Sequence, residues 1–186
     1  MTVDAGVRTL REDARRAGAL ALLTACAGCI ALAARPPVKG VAFGVTVAAG
    51  VAGLLAPAAD ERKASPLVSC AVTLLGVAAF ASVRLAAAVP PAPATRAFVL
   101  MAVIAALAEE LFFRRFLYGA LAGWGAAAAV TGSAIAFALV HIPAYGTAVF
   151  PIDLAAGFVL SWQRWATGSW TSSAVSHAAA NLMTIL

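Results

Sequence analysis

Apolar runs separated by short charged or proline-rich breaks organise the chain from end to end. Residues 1–16 are polar, with Arg8, Arg11, Arg15, Arg16, Asp4, Glu12 and Asp13, and predict a short interfacial helix. Residues 17–34 are then uninterruptedly apolar. Arg35-Pro36-Pro37 and Lys39 mark a turn, and a second apolar run covers residues 40–59. Asp60-Glu61-Arg62-Lys63 forms a compact charged loop before a third run at 66–83. Arg84 leads into Pro90-Pro91-Ala92-Pro93, a stiff connector whose prolines forbid continuous helix. A fourth run starts at Ala97 and carries into Glu109-Glu110. A Gly-containing link at 118–125 leads to the fifth run, 126–141, stopped near Pro143. The sixth covers about 151–162, and the seventh runs from about Ser172 to the C-terminus.

Runs of about 14–20 residues approach the length that crosses hydrocarbon as helix. The pattern predicts an all-α, polytopic transmembrane helix bundle of about seven spans, without internal repeats. Residues 1–96 supply N-terminal helices and 97–186 a helical core, in one continuous membrane domain. Ala-Leu-Ala at 31–33 faintly resembles a signal cleavage site, but the upstream acids and the long apolar run argue for a retained span.

Composition sharpens this reading. The chain is 63% hydrophobic and 11% charged, against about 45–50% and about 25% in soluble domains. Mean hydropathy is +0.94. These values argue against a soluble enzyme, a disordered chain and a nucleic-acid binder, and three Cys are too few for a disulfide scaffold. Cys26 and Cys29 share an apolar helix face and read as packing residues. The net charge of +5 bears on orientation and contact with anionic lipid. A cytoplasmic N-terminus with seven spans puts Arg8, Arg11, Arg15, Arg16, Arg62, Lys63, Arg114, Arg115 and Arg164 inside, and Arg35, Lys39, Arg84 and Arg96 outside. That distribution satisfies the positive-inside rule.

The spans of the first half carry almost no chemistry. In the second half, Glu109, Glu110, Arg114, Arg115, His141, Asp153, His177 and Asn181 interrupt apolar stretches. Ionisable groups in a membrane are costly and point to function. Glu110 and Arg114 are four apart with the acid first, the favourable order for a helical ion pair. Glu109 faces about 100° away, without an intrahelical cation, and is left as a candidate general base. The chain has two His, and both lie in this half. His177 and Asn181 share a helix face. If Arg115 marks the cytoplasmic interface, Glu109 lies about 9 Å deeper, and His177 reaches a similar depth from Ser172. The expected site is therefore just below the cytoplasmic surface. Asp153 reads as an outer helix cap; Arg115 and the pair Gln163-Arg164 read as inner-interface markers. Trp124, Trp162, Trp165 and Trp170 suit the membrane interface.

Three segments together resemble the CPBP family of CAAX proteases and bacteriocin-processing enzymes, also called Abi or Rce-type intramembrane proteases. E-E-x-x-x-R is met by Glu109, Glu110 and Arg114, F-x-x-x-H by Phe137 and His141, and H-x-x-x-N by His177 and Asn181. W-A-T-G-S-W at 165–170 is similar to the family's T-G-S loop. The resemblance covers about residues 97–186 and implies an intramembrane endopeptidase acting on a membrane-associated peptide or protein. It implies that Glu109 and His141 activate a water, and that His177 and Asn181 stabilise the oxyanion. Glu110 and Arg114 would hold the first motif helix, and Phe137 would pack behind His141.

No cofactor is expected. Zinc held by Glu109, His141 and His177 is the competing mechanism, although H-E-x-x-H is absent. The partners are a peptide or protein substrate and the lipid bilayer, with no nucleic acid. The Ala- and Arg-rich, loop-poor chain reads as a multi-pass protein of a bacterial inner membrane. A non-catalytic scaffold or bacteriocin-immunity protein of the same fold is the alternative, ahead of a small proton-coupled transporter.

Overall fold

The computed structural model describes residues 3–35, 39–56, 63–88 and 94–185. The Pro36-Pro37 turn, Asp60 to Arg62 of the charged loop and Pro90 to Pro93 of the connector lie outside the described residues. Among the described residues every regular element is helical. They are α1 (Val3–Ala33), α2 (Lys39–Leu55), α3 (Pro66–Ala87), α4 (Arg96–Glu110), a π-helical segment (Leu111–Leu117), α5 (Tyr118–Leu121), α6 (Ala126–Tyr145), α7 (Phe150–Thr167) and α8 (Trp170–Ile185).

Local chemistry accounts for several boundaries. The Ser65 hydroxyl accepts from the Val68 amide at 3.3 Å, and Pro66 occupies the first turn of α3. Thr95 caps α4 in the same way, accepting from Phe98 at 3.2 Å. Both satisfy amide groups that a helix start leaves without partners. Gly168 ends α7 in the left-handed region, φ 63°, where its missing Cβ avoids strain.

Three boundaries differ from the hydropathy pattern. The expected interfacial helix is the first part of one continuous α1. The fourth helix continues through the π segment to Leu121, four residues into the expected link. The sixth run extends to Thr167, because Gln163 and Arg164 are inside the protein, 0% and 4% exposed, and do not mark an interface. Arg114, 0% exposed, is likewise an interior residue.

Polar and charged groups are buried beside the apolar core, while many large apolar side chains face outward. The largest fully buried side chain is Arg114, and Gln163 and Glu110 are also fully buried. Leu55, Leu67, Leu74, Leu75 and Leu85 are exposed. An extensive apolar exterior around buried polar groups suits lipid as the surrounding solvent. Pro66–Ala87 and Ala126–Tyr145 are long and apolar enough to cross a membrane, and Ala17–Ala33 and Gly40–Leu55 are shorter apolar helices.

Helix α6 lies along α7, α8 fits against α3 and α4, and α2 packs on α4 and the π segment. Gly53 and Gly76 permit two close approaches. A Cβ at Gly53 would meet the backbone of Leu111 and Phe112, and one at Gly76 would meet Gln163 and Ser176. The apolar core gathers Ala25 and Leu32 of α1, four residues of the π segment (Phe112, Phe113, Phe116, Leu117), and Phe137 and Val140 of α6.

Candidate active site

Glu109 and Glu110 end α4, where the backbone enters the π segment. Such segments concentrate at functional sites. Glu110 has 0% exposure and pairs with Arg114 Nη1 at 3.1 Å. The same carboxylate oxygen, Oε1, accepts from His177 Nδ1 at 2.9 Å. Arg114 also donates from Nη2 to the Gly157 carbonyl at 3.2 Å, and its guanidinium lies 4.5 Å from the Phe137 ring centroid. One ion pair thus ties together α4, α7, α8 and, through Phe137, α6.

Glu109 faces elsewhere. Its Oε2 lies 3.9 Å from His141 Nε2 and 3.8 Å from His177 Nε2. The other oxygen, Oε1, lies 3.8 Å from Arg35 Nη1. Separations of this size between polar atoms are those a single water can bridge.

The second nitrogen of each ring has a defined partner. His141 Nδ1 is 2.7 Å from the Phe137 carbonyl, which accepts only from a protonated nitrogen. In the neutral ring, Nε2 therefore turns a lone pair toward Glu109. His177 Nδ1 donates to the Glu110 carboxylate and likewise leaves Nε2 facing Glu109. Phe137 lies against both rings, at centroid distances of 4.6 Å from His141 and 5.6 Å from His177. The seven motif residues thus do not share one contact shell. Glu109, Glu110, Arg114, Phe137, His141 and His177 converge, whereas Asn181 donates to the Ala102 carbonyl of α4 at 3.2 Å.

Sequence reasoning missed three participants. Arg35, expected on the outer surface, reaches inward to Glu109. Asp153, expected as an outer cap, sits half-buried in the first turn of α7, close enough to interact electrostatically with His141, Glu109 and His177. Arg164 donates from Nε to the Arg114 carbonyl at 2.9 Å and lies 5.0 Å from the Tyr118 ring centroid. An isolated Arg or Asp beside a predicted turn gives no signal of which way its side chain folds.

His141 lies near the C-terminal end of α6, Asp153 starts α7 and Arg35 follows α1. The cluster is therefore nearer the bundle end where α1 finishes and α7 begins. The Arg115 side chain turns to the end of α2, bonding the carbonyls of Gly53 and Ala56.

Among the described residues, no group of three or more His, Cys, Asp and Glu side chains is arranged to hold a metal ion. The family model for type II CAAX prenyl endopeptidases, Rce1-like, matches residues 91–183. No curated protein and no solved structure matches the chain. The matched half contains both glutamates, both histidines and the arginine that pairs with Glu110, so the chain belongs to the Rce1-like type II CAAX prenyl endopeptidase family.

Proposed function

We propose that the protein is a multi-pass intramembrane endopeptidase that hydrolyses a peptide bond of a membrane-associated substrate with Glu109 as the base. The observation that carries this reading is the convergence of Glu109 Oε2 with both imidazole Nε2 atoms, at 3.9 and 3.8 Å, within the matched segment. A substrate water bridging Glu109 and His141 gives one hydrogen to each acceptor. Its oxygen attacks the scissile carbonyl as its proton passes to Glu109. When His177 carries both protons, Nδ1–H stays on Glu110 and Nε2–H is available to the developing oxyanion. A preformed donor of this kind contributes about 2.7–4 kcal/mol to the transition state. Glu109 then returns the proton to the departing amine nitrogen, the C–N bond breaks, and the carboxyl product leaves.

Glu110, Arg114 and Phe137 support this step without touching substrate. Glu110 orients His177, Arg114 holds Glu110, and Phe137 fixes His141 through its ring and carbonyl. Asn181 joins α8 to α4 on the helix face it shares with His177. In this reading it keeps His177 level with Glu109, and its remaining amide N–H extends the oxyanion donors.

The test is cleavage of a membrane-proximal C-terminal peptide by the full chain in liposomes. Glu109→Gln, His141→Ala and His177→Ala abolish turnover, and chelator leaves the wild type active. Full activity in Glu109→Gln overturns the assignment. Loss in chelator that Zn²⁺ restores assigns the Glu109, His141 and His177 donors to a metal instead.

A further inference from the structure

The buried charges near the site pair unevenly along the chain. Glu110 has its cation four residues away in Arg114. Glu109 faces the two imidazole rings with Oε2. The guanidinium within 4 Å of its other oxygen is that of Arg35, in the N-terminal half and outside residues 91–183. The Arg35 side chain is 10% exposed. Its Nη1 also donates to Thr46 Oγ1 at 3.0 Å, and the Thr46 hydroxyl donates in turn to the Ala42 carbonyl at 3.1 Å. One terminal nitrogen therefore donates to a fixed acceptor on α2 and faces Glu109 Oε1 across 3.8 Å.

We propose that Arg35 is a positioning residue for Glu109. Anchored by Thr46, it holds Oε1, so that Oε2 is the oxygen presented to His141 and His177. The inference rests on Glu109 being the base of the proposed reaction. It adds α1 and α2 to the working site, which the matched half alone does not complete. A freely rotating carboxylate keeps the site's shape but spends less time with an oxygen in line with the bridging water. The loss falls on the rate of the bound complex, not on substrate affinity.

The experiment uses the full chain in liposomes with the peptide substrate described above. Arg35→Gln lowers kcat by about 10–100-fold, the range expected when a reacting group is misplaced, with KM within about twofold. Arg35→Lys keeps more of the rate than Arg35→Gln, Thr46→Val loses part of it, and added guanidinium raises the rate of Arg35→Ala but not of Glu109→Gln. A wild-type kcat in Arg35→Gln overturns the proposal, as does a loss confined to KM. So does failure of guanidinium to rescue Arg35→Ala. Thermal unfolding supplies a readout independent of turnover. Arg35→Gln lowers Tm more in the wild-type background than in Glu109→Gln; equal shifts in both backgrounds overturn the pairing. If the wild type cleaves nothing, the endopeptidase reading fails, while the unfolding comparison still reports on the Arg35–Glu109 contact.

Discussion

Helices α3 and α8 lie side by side and are built on opposite terms. Helix α3 buries only Val72 and Gly76, and sends Leu67, Leu74, Leu75, Val83 and Leu85 outward. Helix α8 buries Ser172, Ser173, Ser176 and His177. They meet where Gln163 of α7 donates to both the Val72 carbonyl and the Ser176 hydroxyl, each at 2.9 Å, while Ser176 donates to the Thr73 carbonyl at 3.2 Å. In water, the apolar helix would be the interior one. Here the polar helix is inside, because apolar side chains gain little by leaving lipid whereas polar groups must find partners away from water. Hydrogen bonds and close backbone approach, rather than apolar burial, distinguish the interior from the exterior.

This contrast can be broken in graded steps. Glu109→Gln removes the proposed base and should reduce cleavage by about 10²–10⁴-fold, measured in liposomes. Arg114→Met leaves the Glu110 carboxylate without its cation and should destabilise the fold by about 3–5 kcal/mol, measured by denaturant unfolding in bicelles. Gly76→Val forces a side chain into Gln163 and Ser176 and should cost about 1–3 kcal/mol in the same assay. Leu74→Ala, on the outer face of α3, should stay within about 0.5 kcal/mol of wild type in stability and cleave normally. If Leu74→Ala proves as damaging as Gly76→Val, the exterior assigned to α3 is an interface. Orientation has its own check: in a chain lacking its native Cys, Lys63→Cys and Thr147→Cys should react with an impermeant thiol reagent from opposite sides of the membrane.

Much of the site was legible because ionisable residues are scarce. With eight Asp and Glu and two His in the chain, few combinations could form it. The four-residue spacing of Glu110 and Arg114 predicted an ion pair, and the pair forms at 3.1 Å despite the π backbone between them. The limits were equally physical. Hydropathy treats each polar residue as the end of a span, so Gln163 and Arg164 seemed to terminate a helix they in fact fasten from within. Arg35 has a side chain long enough to act a turn or more away from its own backbone, so its place beside a turn concealed its contact with Glu109.

The wide turns of Leu111–Leu117 bear on how the gene can change. A π turn accommodates one residue more than the α turn it replaces. Deleting a residue there lets the backbone relax to α geometry while both flanks keep their facing. The same deletion within Arg96–Glu110 has no such slack and rotates the helix start by about 100° relative to the glutamates. The backbone slack of this helix thus lies directly beside the glutamates, and the apolar stretch before them has none.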